Sequence, residues 1–120
     1  MSEIRATTIS DLAGTGPATL TKQSAAKAWI QIDGATTPVL QDSFNIASLS
    51  DLGVGYYGFS LTSSMSGTTY GLTSSTLQAG IVTSGGSRTT SGAELINRQS
   101  SDGVTAFDGD CSSIVNGDLA

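Results

Sequence analysis

Asp108-Gly109-Asp110 is the densest cluster of chemistry-bearing side chains in the sequence, two carboxylates separated by one glycine. On a strand, residues two apart face the same side. Such a pair could serve as the two acids of a glycosidase or open a calcium loop. Neither surrounding pattern is present: an EF-hand loop needs a glutamate six residues after its glycine, and the nearby acid here is Asp118. A structural turn is the first reading, ahead of a weak cation site and of catalysis. Cys111 follows directly, with no basic neighbour in sequence to activate it, so a buried, inert thiol is expected. The chain has one cysteine and no histidine. A Ser-His-Asp or Cys-His nucleophile, an internal disulfide and the usual zinc and haem ligand sets cannot be assembled from it. The expectation is a protein that is not an enzyme and carries no cofactor and no metal.

The remaining chemistry is that of binding. Gly85 and Gly86 sit in Ser84-Gly85-Gly86-Ser87, a stretch with the composition of a flexible loop, and Arg88 follows it. An arginine there could meet an acidic or sugar ligand, or be solvated. Trp29, Tyr56, Tyr57 and Tyr70 are the aromatic supply for saccharide stacking or a subunit interface. Most of the few aromatics are needed for packing.

These residues have to be positioned by a small fold. The chain has 120 residues, 38% hydrophobic and only 12% charged, which suits one domain with a modest core. Disorder normally comes with high charge, so the abundance of Ser, Thr and Gly points to short strands joined by glycine-containing turns. Without disulfide or metal, a core this thin is expected to gain support from oligomerisation. The net charge of −5 opposes binding to nucleic acid. No apolar run approaches the roughly 20 residues of a membrane-spanning helix. The first residues, Met-Ser-Glu-Ile-Arg-Ala, lack a signal-peptide hydrophobic region, so synthesis in a cytoplasm is expected.

Residues 1–23 differ from the rest. Ile4, Ile9, Leu12 and Leu20 are widely spaced among small polar residues, and Gly14-Thr15-Gly16-Pro17 breaks any helix. This pattern reads as an extended arm that packs along something else, with one helical turn capped by Ser10 near residues 10–13. From residue 24 to 120, turn signals recur about every 8–12 residues, as in an antiparallel β-sandwich or barrel-like domain. Strands are expected near 26–33, 39–48, 56–62, 69–74, 77–83, 93–98, 104–107 and 111–117. Ala28, Ile30 and Ile32 alternate with polar residues and Trp29, the period of a half-buried strand. Asp33-Gly34 and Asp51-Leu52-Gly53 are the clearest turns, and Pro38 should open its strand. Ile30, Ile32, Phe44, Ile46, Tyr57, Phe59 and Leu61, with Leu72, are the expected core. Residues 84–92 and 99–103, the latter containing Asp102, are the expected variable loops.

The series Ala26-Lys27-Ala28-Trp29, then Asp33-Gly34, then Asp42-Ser43-Phe44-Asn45, then Asp51-Leu52-Gly53-Val54-Gly55-Tyr56-Tyr57 resembles a small β-domain of bacteriophage tail-fibre and related virion surface proteins. The phrase Ile4-x-Ala6-x-Thr8-Ile9-x-Asp11-x-Ala13-Gly14-Thr15-Gly16-Pro17 is similar to N-terminal segments of phage fibre proteins. The end, Gly117-Asp118-Leu119-Ala120, is similar to the tail of the same domains. The resemblance is loose over 62–105. It implies a virion structural protein forming a homotrimer, made in the host cytoplasm and exposed on the virion surface. The arm residues Ile4, Ile9, Leu12 and Leu20 would dock onto other virion proteins. Loops carrying Gly85, Gly86, Arg88 and Asp102 would meet a host-surface saccharide or protein. A capsid decoration protein or head fibre is the alternative, favoured by the short chain, and a polysaccharide depolymerase is a minor one.

Overall fold

A computed structural model describes residues 26–35 and 37–120. Among these residues eight strands follow in chain order: β1 (Ala26–Asp33), β2 (Val39–Phe44), β3 (Ile46–Gly53), β4 (Tyr56–Leu61), β5 (Gly71–Thr76), β6 (Ile81–Thr89), β7 (Gly92–Gln99) and β8 (Cys111–Asn116). They form two four-stranded antiparallel sheets, ordered β2-β1-β8-β5 and β3-β4-β7-β6. The sheets pack face to face as a β-sandwich. The expected arm, with Ile4, Ile9, Leu12, Leu20 and the turn capped by Ser10, and the boundary after residue 23 lie outside the described residues.

Alternation in the sequence becomes burial in the fold. Ala28, Ile30 and Ile32 of β1 point inward beside Cys111 and Val115 of β8. Tyr57, Phe59, Leu61, Ala93 and Leu95 of the second sheet oppose them. Met65 and Tyr70, from the connection between β4 and β5, close one end. Each large apolar side chain so buried contributes about 1.5–3 kcal/mol. Ile46 and Leu72 are half-buried against this cluster.

Phe44 corrects the expected core, being 55% exposed. Reading 39–48 as one strand puts residues 44 and 46 on one face, but the strand is interrupted at Asn45, which has φ of 58°. There the chain passes from one sheet to the other: Phe44 pairs with Trp29 in the first, and Ile46 with Leu61 in the second. A left-handed residue with a side chain costs about 1–2 kcal/mol, least for asparagine. The Asn45 amide offsets this by donating to the carbonyls of Lys27 (3.0 Å) and Ser63 (3.1 Å), while its oxygen accepts from the Ser63 N–H (2.7 Å).

Glycine composition misleads at residues 84–87. They are not a loop but part of β6, with Ser84 opposite Ile96 and Gly85 opposite Leu95, and the register shifts between Gly85 and Arg88. Glycine in an edge strand marks such an irregularity and a close approach: a Cβ on Gly85 would lie 2.8 Å from Leu72 Cδ2. β5 and β6 accordingly sit later than the expected 69–74 and 77–83. Residues 104–107 form no strand, only an isolated bridge between Arg98 and Ala106. Asp51-Leu52-Gly53 finishes β3, and the chain reverses at Val54-Gly55. Pro38 does immediately precede its strand.

Register defines two ends. At the near end β1 begins, with Ala26 opposite Asn116 at the close of β8. Here Met65 N–H donates to Thr90 O (2.7 Å) and Ala120 N–H to Ser64 O (2.9 Å). At the far end lie Gly34, the β3–β4 turn at Val54-Gly55, the β5–β6 connection at 77–80 and the long β7–β8 connection at 100–110.

Candidate functional site

The far end is built around two buried polar groups. The Tyr57 hydroxyl donates to Gly34 O (3.2 Å) and accepts from Gly109 N–H (3.2 Å). Asn97, fully buried on β7, donates from Nδ2 to Gly109 O (2.7 Å) and accepts at Oδ1 from the Thr83 hydroxyl (2.7 Å). Its backbone N–H donates to Gly55 O (2.7 Å) and its carbonyl accepts from Phe107 N–H (3.2 Å). Buried polar groups persist when paired in this way, and these ones tie the 100–110 connection to the sandwich.

Asp108 and Asp110 belong to the same brace. Asp108 Oδ1 accepts from Gly55 N–H (2.7 Å) and Asp110 Oδ1 from Gly34 N–H (3.1 Å). The two carboxylates therefore fasten two different turns, the structural role expected of them. Among the described residues no group of three or more His, Cys, Asp or Glu side chains could hold a metal ion. Cys111 lies beneath, without solvent exposure. Burial pushes its thiol up to about 11; a hydrogen bond with Asn97 opposes the rise and the Asp110 charge adds to it. A thiol held this far in its protonated form is a poor nucleophile.

The buried thiol is expected to make the fold sensitive to alkali. A pKa raised on folding means that the unfolded chain loses its proton first, so stability is intact below pH 9 and falls as pH rises towards 11. Burial raises Tyr57 and Tyr70 as well, in the same direction. The Cys111 contribution is roughly 2–3 kcal/mol by pH 11. Urea unfolding of wild type and Cys111→Ala between pH 8 and 11 measures it. The variant is expected to show a shallower decline than wild type, and parallel declines would refute the assignment.

The connection above the brace is itself ordered. Asp102 Oδ1 accepts from the N–H groups of Val104 (2.9 Å) and Thr105 (3.0 Å), and its Oδ2 accepts from the Thr105 hydroxyl. The Thr105 hydroxyl and then these backbone donors hold the carboxyl down at about 2. Arg98 Nη1 donates to Val104 O (2.7 Å), and Ser100 N–H to Gly80 O (2.8 Å) joins the connection to the β5–β6 turn. Between these segments lies a pocket of ≈ 550 Å³ lined by Gln78, Ala79, Gly80, Ile81, Gln99, Ser100, Ser101 and Phe107. Around it Val54, Leu77, Val104 and Phe107 are exposed, Leu77 at 68% and Val104 at 70%.

No family model, curated protein or solved structure matches this chain.

The expected receptor residues are not brought together. Asp102 is at the far end, where it braces its own loop. Gly85 and Gly86 lie along β6, and a Cβ on Gly86 would meet Glu94 at 2.9 Å. Arg88 is at the near end, where Nη1 donates to Tyr70 O (2.9 Å). Tyr70 is buried with its hydroxyl against Gly92 O (2.8 Å). Ser87, Thr89 and Ser91 instead line a smaller groove of ≈ 290 Å³ across the outer face of the second sheet. Glu94 in that groove accepts from the Tyr56 hydroxyl (2.6 Å) and Ser87 N–H (2.9 Å), which holds its carboxyl below the usual range.

Asn97, Gln78 and Phe107 escape sequence reasoning, whereas Gln99, Ser100 and Ser101 of the pocket belong to the expected loop 99–103. One signal existed: Ala93, Leu95 and Asn97 share the inward face of β7, and a polar residue at an inward position has to meet a partner. Gln78 carries no signal, because its place opposite Gln99 depends on long-range pairing.

Proposed function

We propose that this chain is a bacteriophage virion structural protein, a tail-fibre or spike-like subunit that is anchored through residues 1–23 and binds the host surface with the far end of its sandwich. The sequence resemblance supplies the class. The observation that carries the orientation is polarity: β1 starts at the near end, whereas the pocket and the exposed Val54, Leu77 and Val104 gather at the opposite one. A subunit tethered by a leading arm presents that opposite end outward. The mechanism in this reading is binding rather than catalysis, and the engagement of Asp108 with Gly55 and of Asp110 with Gly34 supports it.

The same reading includes a homotrimer. The outer face of the first sheet carries Phe44, Trp29 and Ile114 in one cross-strand row, 55%, 36% and 45% exposed. Exposed apolar side chains grouped in this way suit burial against further copies. Light scattering is expected to give a trimer at micromolar concentration, and a folded monomer would count against it. In the same preparation, fluorescently labelled chain is expected to bind host cells saturably. Absence of cell binding, together with particles that lose heat resistance when the chain is omitted, would make it a capsid decoration protein instead.

A further inference from the structure

We propose that the far-end pocket takes one neutral sugar unit, its ring against Phe107 and its hydroxyls on Gln78, Gln99, Ser100 and Ser101. This rests on the host-attachment reading and names its ligand. The volume of ≈ 550 Å³ falls in the range of small-molecule sites, which combine apolar walls with a few placed polar groups. Here the apolar walls are Phe107, Ala79 and Ile81. The polar groups are amides and hydroxyls, each able both to donate and to accept, which is the double capacity of a sugar hydroxyl. No lining side chain is charged, and the chain as a whole is at −5. That combination disfavours uronates, sialates and phosphorylated glycans.

The parts are held ready before any ligand arrives. Gly109 is the shared neighbour of the amide and the ring: a Cβ there would lie 2.2 Å from Gln78 Oε1 and 3.5 Å from Phe107 Cδ1. Its bare backbone thus lets Gln78 and Phe107 converge. Phe107 N–H donates to the buried Asn97 (3.2 Å), Gln99 N–H to Thr105 O (2.9 Å), and Ser100 N–H to Gly80 O (2.8 Å). Pre-organisation of this kind lowers the ordering cost of binding.

Calorimetric titration of the full chain tests the proposal. The probes are neutral trisaccharides of glucose, galactose, mannose and N-acetylglucosamine, with matched uronate-containing trisaccharides. At least one neutral probe is expected to bind, and no uronate probe more tightly. Phe107→Ala is expected to weaken that binding about tenfold or more. Ser101→Ala, an exposed change that leaves the braces intact, should weaken it several-fold, and Arg88→Ala at the near end should leave it unchanged. No binding of any neutral probe up to about 5 mM, a preference for uronates, or indifference to both pocket variants would overturn the proposal. If host cells are bound while no neutral probe is, attachment stands and the ligand class is wrong. If a neutral probe binds in the pocket but host cells are not bound, the pocket stands and attachment is wrong.

Discussion

Asn97→Asp is expected to destabilise the protein by about 4 kcal/mol at pH 7, through the burial of an unpaired charge and the loss of a donor. The substitution keeps the shape of the side chain and inverts one hydrogen bond. Nδ2 donates to Gly109 O at 2.7 Å in a site with no solvent exposure, whereas a carboxylate there would face a carbonyl, acceptor against acceptor. Protonation restores a donor, and burial raises the pKa of such a carboxyl. The sign follows: the variant regains stability relative to wild type as pH falls, and loses it again as pH rises through the raised pKa. Urea unfolding of both proteins at pH 7 and pH 5 checks this. A deficit that is the same at both pH values would mean that the Gly109 contact is not what Asn97 supplies.

Gly34→Ala is expected to cost about 3 kcal/mol or more, as overpacking against a rigid neighbour does. A Cβ at residue 34 would sit 2.0 Å from Gly109 O, 2.5 Å from Gly109 C and 2.6 Å from the Tyr57 hydroxyl. Two of those atoms are backbone, so no rotamer change relieves the clash. For a domain of this size the melting temperature should fall by roughly 10–20 °C. Gly67→Ala is the control, since its nearest neighbour is Thr69 Oγ1 at 3.9 Å, and it should lie within about 0.5 kcal/mol of wild type. Equal effects at both glycines would remove the close approach as the reason for Gly34.

Local alternation carried the legible part of this fold. β1 appears over the residues where Ala28, Ile30 and Ile32 alternate with polar neighbours, and Tyr57, Phe59 and Leu61 share a buried face as their spacing implies. What stayed hidden was set by contacts distant in sequence. Phe44 turns outward because Asn45 spends its amide on Lys27 and Ser63 and bends the chain between sheets. Gly85 and Gly86 look like a loop until Leu72, Glu94 and the β7 register are known. The same holds for the site. Residues 84–92 and 99–103 are neighbours in sequence composition, yet pairing of β6 with β7 sends Thr89 to one end and Gln99 to the other. Asp102 and Arg88 both looked available for a ligand, and each is engaged with backbone groups of its own end.

Adsorption of particles carrying variants at opposite ends of the sandwich tests the proposed outward orientation of the far end most directly. Phe107→Ala combined with Gln99→Ala changes the far-end pocket, and Arg88→Ala changes the near end. With particle assembly and heat resistance unchanged, the far-end pair is expected to slow adsorption about tenfold or more, a loss of one well-placed binding contact, and Arg88→Ala to leave it at the wild-type rate. Slow adsorption for Arg88→Ala with a normal rate for the far-end pair would contradict the account and put the host-facing surface at the end where β1 begins.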